Sequence, residues 1–269
     1  MVRVMVAVLL AAWAGTVWAQ TRPLALGDRQ GARERLVRVA AAADLRYALD
    51  EIGAAFHRRH PDITLQVSYG SSGNFFAQLS NRAPFDIFFS ADVDYPRKLI
   101  EQGLAAQDTA FSYAVGRLVI WAPRASRLAL ERLGMQALVD PSVRKIAIAN
   151  PKHAPYGRAA EAAMQTFGVY EKVRAQLVYG ENIAQTAQFI QTGSADIGII
   201  ALALALAPIL KEAGQYWEIP LDAYPRIEQG GVILAWATDV AAARDLRALV
   251  LGTEGKDVLR RYGFFLPGE

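Results

Sequence analysis

The stretch Leu36–Phe56, LVRVAAAADLRYALDEIGAAF, predicts a buried strand that leads directly into a helix. Its first part, LVRVAAA, has the continuous apolar character of a strand covered on both faces. Asp44 stands at the junction, where a carboxylate side chain commonly begins a helix. Apolar residues then recur at helical spacing, at Leu45, Leu49, Ile52 and Phe56. The stretch therefore indicates a βα unit whose turn, Ala43-Asp44, lies at the carboxyl end of the strand.

The same alternation of strand and helix continues through most of the chain. After the first unit we predict strands at 63–69, 86–89, 117–122, 145–149, 177–179 and 196–201. We predict helices at 74–79, 92–103, 158–167 and 182–191, with further helices from residue 241. This alternation is typical of an α/β fold with mostly parallel sheets flanked by helices.

Two sets of these units predict two lobes with a ligand cleft between them. We expect lobe I to comprise residues 36–116 and 231–269, and lobe II to comprise residues 117–230. The chain would cross between the lobes near Gly116 and again near Gly230, and we expect these crossings to act as hinges.

The N-terminus has the pattern of an export signal. Arg3 precedes an uncharged stretch, 4–18, and Val17-Trp18-Ala19 is the small-x-small pattern that a signal peptidase cuts. We therefore predict a signal peptide at residues 1–19 and a flexible lead-in at residues 20–35. The mature protein is expected to be exported.

The composition excludes several classes of protein. The chain has 269 residues, of which 53% are hydrophobic, so it carries enough apolar material for a folded protein. Its 29 basic and 26 acidic residues give a net charge of +3, too small to imply a nucleic-acid partner. Because the chain has no cysteine, disulfides, thiolate metal sites and a cysteine nucleophile are excluded.

Four turns between a strand and the next helix are candidate binding positions, since ligands of open α/β sheets lie beyond the carboxyl ends of strands. They are 43–44, 70–74, 150–157 and 181–183. Each places the N–H groups of a helix N-terminus at the cleft, where together they would favour an anion. Ser71 and Ser72 would add two neutral donors, although the same turn can be read as an ordinary helix cap.

Enzymatic and metal sites have weaker support. A hydrolase would need Ser71 or Ser72 paired with His153, which lies on a different turn. His57 and His60 have helical spacing, but they adjoin charged residues at a helix end, so we expect a solvated face rather than a metal site. The carboxylates Asp86, Asp92 and Asp94 could be drawn as a magnesium or acid–base cluster, but helix-terminus electrostatics explains Asp92 better, and we expect no metal.

Five ordered motifs together resemble the periplasmic molybdate-binding proteins of bacterial ABC importers. The motifs are VAAAADL (39–45), YGSSGN (69–74), APFDIFFSAD (83–92), ANPKHAPYG (149–157) and GENIAQTAQ (180–188). The resemblance extends to the closing KDVLRRYGFFLP (256–267). It implies the type II periplasmic binding protein fold, with a tetrahedral dianion held between the lobes by neutral donors.

The resemblance also implies the ligand-binding residues: Ala43, Asp44, Ser71, Ser72, Tyr156 and, through its backbone N–H, Ile183. Some members use a tyrosine where this chain has Ala201, and here Tyr156 would supply the phenol instead. The implied ligand is molybdate or tungstate, with no cofactor and no catalytic step. The implied partners are an ABC permease and its ATPase, and we expect a periplasmic monomer. A binding protein for phosphate or sulfate, a sensory module and an exported hydrolase are the alternatives.

Asp44 departs from the family pattern, which usually has serine or asparagine at this position. A carboxylate about 4 Å from one ligand charge is repelled by roughly 4 kcal/mol at an effective dielectric constant of 20. Asp44 could cap its own helix, be neutralised by Arg46, Lys152 or Arg158, or accept a proton from a protonated oxyanion. We expect the first, with its side chain accepting hydrogen bonds from the N–H groups of Arg46 or Tyr47.

Overall fold

The computed structural model describes residues 35–269, and the predicted signal peptide and nearly all of the predicted lead-in lie outside them. The described chain forms ten strands. They are β1 Arg35–Ala42, β2 Ile63–Gly70, β3 Ile87–Ser90, β4 Phe111–Gly116, β5 Leu118–Pro123, β6 Ile146–Ala149, β7 Leu177–Gly180, β8 Ile197–Ala201, β9 Gly214–Glu218 and β10 Ile227–Ile233.

Helices lie between the strands. They are α1 Arg46–Arg59, α2 Ser72–Ser80, α3 Asp94–Glu101, α4 Leu130–Leu133, α5 Pro155–Thr166, α6 Tyr170–Val173, α7 Ile183–Gln191, α8 Leu202–Ala205, α9 Pro208–Ala213, α10 Val240–Leu251 and α11 Thr253–Arg261. Short 3-10 turns occur at Ala43–Leu45, Gln107–Thr109, Gly134–Val139, Arg174–Gln176 and Leu221–Ala223. Within residues 35–269, no helix combines the length and apolar character needed to cross a membrane.

The strands form two five-stranded sheets, ordered β2-β1-β3-β10-β4 and β7-β6-β8-β5-β9. In each sheet four strands run in one direction, and the exceptions are β10 in the first and β5 in the second. The predicted α/β fold with sheets flanked by helices is therefore confirmed. We call the first sheet with its helices lobe I and the second sheet with its helices lobe II.

The chain crosses between the sheets twice. The first crossing is the single residue Arg117, between β4 and β5. The second lies between β9 and β10, from Glu218 to Ile227. Gly230, expected at the second crossing, instead lies inside β10, where the pairing with β4 shifts register after Gln229. Gln229 and Gly230 thus belong to the sheet of lobe I.

The first sheet is covered on both faces, which explains the continuous apolar character of its central strand. Val39 and Ala41 of β1 pack with α1, α10 and α11 in one buried cluster. Ala40, between them, packs with residues of α2 and α3 on the opposite face. Because alternate residues of a strand face opposite sides, both sets must be apolar. This double covering leaves the carboxyl ends of the strands as the open edge of the sheet.

Candidate functional site

The predicted turns lie at matching edges of the two sheets. In lobe I, β1 and β2 are parallel and end in register, with Ala42 opposite Gly70. In lobe II, β6 and β7 likewise end together, with Ala149 opposite Gly180. Within each sheet, the turns that follow the strand pair therefore lie at the same edge. This is the edge at the carboxyl ends of the strands, where open α/β sheets bind ligands.

Ser71 and Ser72 are buried at the start of α2. The Ser72 Oγ accepts a hydrogen bond from the Ala91 N–H at 2.9 Å, so its own hydrogen is available to another acceptor. The Ser71 Oγ lies 2.9 Å from Nδ1 of His153, on the third turn. His153, only a further candidate from the sequence, is thus in contact with a predicted site residue.

Ala43 and Ile183 contribute backbone positions at the same edges. Ala43 is buried in the 3-10 turn that precedes α1. Ile183 is the first residue of α7, and the Asn182 side chain accepts from the N–H groups of Ala184 and Gln185. The Asn182 cap thus uses the second and third amides of the helix, and does not engage the N–H of Ile183.

Asp44 does not cap its helix, so that expectation is wrong. Helix α1 begins at Arg46 with Leu45 as its N-cap, and no side chain caps it. Instead, Oδ2 of Asp44 accepts from the Tyr156 hydroxyl at 2.8 Å and from Nε2 of Gln229 at 2.6 Å. The cap prediction used only neighbours in sequence, whereas these two donors come from distant parts of the chain and are better placed.

The Asp44 carboxyl is almost completely buried, with 1% of the residue exposed. Burial raises its pKa to about 6, against the opposing effect of the donors Gln229 and Tyr156 and of the backbone N–H groups of Asp44 and Leu45. Its second oxygen, Oδ1, makes no hydrogen bond within residues 35–269. The Oε1 atom of Gln229 is likewise buried without a partner among those residues. The cluster therefore has more buried acceptors than donors.

The three basic residues that could neutralise Asp44 do not hydrogen-bond to its carboxylate within residues 35–269. The Arg46 guanidinium lies over the Tyr69 ring, 5.2 Å from its centre. Arg158 binds Oδ2 of Asp92 at 2.5 Å, and Lys152 is exposed. In the described part of the chain, neutral groups alone donate hydrogen bonds to the carboxylate of Asp44.

Tyr156 is buried at the start of α5 and lies between the other two members of this cluster. Its hydroxyl oxygen is 3.0 Å from Nε2 of Gln229 and 2.8 Å from Oδ2 of Asp44. Burial, followed by the charge of Asp44, raises the pKa of the Tyr156 hydroxyl well above its ordinary value. The hydroxyl therefore keeps its proton and remains a neutral donor.

Gln229 was missed by the sequence reasoning, although a signal for it exists. In β10, alternation places Gln229 on the same face as the buried Ile227, while Glu228 between them is exposed. An amide side chain on the apolar face of a strand needs hydrogen-bond partners. That requirement marks Gln229 as a residue of a buried polar cluster.

The two lobes touch directly around these residues. The N–H of Gly73 in lobe I donates to the carbonyl of His153 in lobe II at 2.9 Å. The Asn74 amide donates to Oε1 of Glu181 at 2.7 Å, and the same oxygen is 3.5 Å from the Ser71 Oγ. The cleft is therefore closed, with the contact between Asn74 and Glu181 at its solvent-exposed rim.

The candidate metal residues of the sequence are not brought together. His60 stacks on Phe56, and His57 is exposed. Asp86 accepts from the N–H groups of Arg38 and Thr238, so its role is structural. Among residues 35–269 there is no group of three or more histidine, cysteine or acidic residues that could hold a metal ion.

Comparison with known proteins finds similarity to one family over nearly the whole described chain. Residues 37–265 match the family of bacterial extracellular solute-binding proteins. The molybdate-binding protein ModA of Rhodobacter capsulatus is 37% identical over 225 residues, covering 84% of this chain and 86% of that protein. ModA of Azotobacter vinelandii is 35% identical over 232 residues, covering 86% of this chain and 90% of that protein.

The fold is also similar to that of a solved relative. The solved periplasmic molybdate-binding protein of Azotobacter vinelandii superposes with a TM-score of 0.80 and 30% sequence identity, covering 86% of this chain and 99% of that chain. This similarity confirms the two-lobed fold of the type II periplasmic binding proteins. The chain belongs to the family of bacterial extracellular solute-binding proteins.

Proposed function

We propose that this protein captures molybdate or tungstate between its two lobes and delivers the anion to an ABC permease and its ATPase. The observation that carries the proposal is the meeting of neutral donors at the edges of two sheets. Ser72 has a free hydrogen, and the N–H group of Ile183 lies at the start of a helix. The relatives named as molybdate-binding proteins support the choice of anion.

The binding residues in this proposal are Ala43, Asp44, Ser71, Ser72, Tyr156 and Ile183. The hydroxyls and backbone amides would surround a tetrahedral oxyanion, and the helix N-termini would stabilise its charge. The lobes would rotate about the two crossings to admit the anion and close around it. The closed form, held by contacts such as Gly73 with His153, would be the one that the permease recognises.

Binding without catalysis is part of the proposal. Ser71 and His153 are within hydrogen-bond distance, as a hydrolase would require. A catalytic pair also needs a third group that orients the histidine, and Ser71 is the side chain that the structure places against the His153 ring within residues 35–269. Since the family consists of solute-binding proteins, we propose that this pair positions a ligand and that the protein acts in the periplasm as a monomer.

A second candidate ligand is phosphate, and the observation in its favour is the unpartnered Oδ1 of Asp44. Phosphate keeps a proton at neutral pH that a carboxylate can accept, whereas molybdate, tungstate and sulfate do not. A carboxylate in the cleft would then select the protonated anion.

Isothermal titration with molybdate, tungstate, sulfate and phosphate at neutral pH tests the proposal. We expect heats of binding with molybdate and tungstate and none with sulfate or phosphate. Binding of phosphate alone would establish the second candidate instead. The variant Ser80→Ala, on the exposed end of α2, serves as a control that should bind like the unaltered protein.

A further inference from the structure

The cluster of Asp44, Tyr156 and Gln229 leaves two buried acceptors without a donor among the described residues. While Asp44 is ionised, the Tyr156 hydroxyl and the Gln229 amide both donate to Oδ2. Oδ1 of Asp44 and Oε1 of Gln229 have no partner within the described residues. Unpaired buried acceptors are costly, so the cluster is poised to gain a hydrogen.

The ionised carboxylate of Asp44 also accepts the hydrogen bond of the Tyr156 hydroxyl, which the proposed anion needs as a donor. The hydroxyl of Tyr156 has a single hydrogen, and that hydrogen is directed to Asp44. If Asp44 is protonated, its own O–H can donate to the Tyr156 oxygen, or to Oε1 of Gln229 after the amide turns over. The Tyr156 hydrogen is then free to donate to the ligand.

We propose that Asp44, Tyr156 and Gln229 form a proton-binding site coupled to the anion site, so that the cleft takes up one proton from solvent with each dianion. The inference rests on the proposed function. It differs from the phosphate alternative, because here the proton comes from solvent and resides on the protein.

Among the described residues, the other groups that contact or interact electrostatically with Asp44 cannot take this role. Tyr113 of β4 and Tyr156 of α5 both have pKa values raised well above the ordinary value, chiefly by burial, and so stay neutral. Gln229 of β10 does not titrate. Arg46, which follows Asp44 at the start of α1, lies over the Tyr69 ring and makes no hydrogen bond to the carboxylate within residues 35–269.

Two titratable groups lie near the opposite end of the site and need a control. His153 contacts Ser71, and Glu181 contacts Asn74. A dianion favours the protonated form of an ionisable group beside it, whichever residue carries that group. Proton uptake must therefore be assigned by substitution, not by its occurrence alone.

The thermodynamic linkage between proton binding and anion binding gives the expected number of protons taken up. With its pKa at about 6 in the closed arrangement described here, Asp44 is mostly ionised at pH 7.5, and a dianion beside it shifts the carboxyl to the protonated form. Uptake should be about one proton per anion at this pH. The dissociation constant for molybdate should rise about tenfold for each pH unit between pH 7 and 8.

The test is isothermal titration of sodium molybdate into the purified protein at pH 7.5, in buffers with different enthalpies of ionisation. The slope of the observed heat against the buffer enthalpy counts the protons. We expect a slope corresponding to one proton for the unaltered protein and for His153→Gln. We expect a slope of zero, and an affinity independent of pH, for Asp44→Asn and Asp44→Ser.

Two results would overturn the inference while leaving the proposed function intact. One is molybdate binding by the unaltered protein with no proton uptake between pH 7 and 8. The other is loss of the uptake in His153→Gln, which would assign the proton to the histidine. Absence of molybdate binding in the unaltered protein would overturn the proposed function and the coupling with it. Where one Asp44 variant fails to fold, the other variant, together with His153→Gln, still assigns the proton.

Discussion

Arg158 of lobe II binds Asp92 of lobe I, with its guanidinium nitrogen 2.5 Å from the carboxylate Oδ2. The same guanidinium lies 5.9 Å from the centre of the Tyr95 ring, which belongs to α3 in lobe I. The side chains of Arg158 and Asp92 are 42% and 23% exposed, so the pair lies at the rim of the closed cleft. It joins the two lobes at this rim.

This pair predicts a small, salt-sensitive contribution to closure. Partly exposed ion pairs contribute about 0–1 kcal/mol. We therefore expect Arg158→Gln to weaken molybdate binding by about fivefold or less, and the difference to shrink at high salt. Isothermal titration at low and high ionic strength measures it. Arg97→Gln is the matched control, because Arg97 pairs with Asp94 within the same helix and should leave binding unchanged. A large effect that persists in high salt would contradict the assignment.

The burial of Asp44 predicts that an amide at this position stabilises the protein in the closed arrangement described here. The pKa of the carboxyl is about 6 in the folded protein and 3.8 ordinarily, so between these values the folded state binds more protons than the unfolded state. The stability contributed by this group therefore falls as pH rises from about 4 to about 6, and stays low above that. Two pKa units correspond to roughly 3 kcal/mol, an upper limit for the gain in Asp44→Asn at pH 7.

Urea unfolding at pH 4 and pH 7 checks this prediction. The two proteins should approach equal stability at the lower pH and separate at the higher one. Asp140→Asn supplies a control of opposite sign, because hydrogen bonds from Ser142 lower the pKa of Asp140. Equal stability of Asp44→Asn and the unaltered protein at pH 7 would mean that the carboxyl is not destabilised by its surroundings.

The sequence predicted the parts of the fold that depend on local pattern. The strand and helix at 36–56 follow from apolar periodicity, and the turn at Ser71 and Ser72 follows from the residues that break it. The environment of Asp44 could not be predicted in this way. Its partners Tyr156 and Gln229 are 112 and 185 residues away, and the tertiary contact outweighed the local preference for a helix cap.

Substitutions of the two serines of the proposed site are expected to have separable effects on stability and binding. Ser72→Ala removes the acceptor of the Ala91 N–H, which is buried, and should cost about 1–3 kcal/mol of stability. Ser71→Ala removes a contact with His153 across the cleft and should change stability less. Both should weaken molybdate binding by about tenfold, since each removes one proposed donor. Urea unfolding and titration together separate the effects, with Ser80→Ala as the control.

If Ser71→Ala left molybdate affinity unchanged, the Ser71 hydroxyl would be a partner of His153 alone and not a ligand. The comparison thus tests the two serines independently. Their positions at the same turn make the contrast a matched one.

The close approach of Gly73 to His153 predicts that Gly73→Ala folds but does not close its cleft. A Cβ atom at this position would lie 2.6 Å from the His153 carbonyl oxygen and 2.9 Å from the Tyr95 hydroxyl. The carbonyl belongs to lobe II, so opening the cleft relieves that part of the clash without unfolding either lobe.

We expect Gly73→Ala to weaken molybdate binding by tenfold or more, with the free energy of unfolding nearly unchanged. Gly53→Ala is the control, because its Cβ would meet Leu65 at an ordinary 3.7 Å and alanine favours a helix. Small-angle X-ray scattering with saturating molybdate measures closure directly: the unaltered protein and Gly53→Ala should become more compact than Gly73→Ala. Equal compaction of all three would show that the contact between Gly73 and His153 does not limit closure.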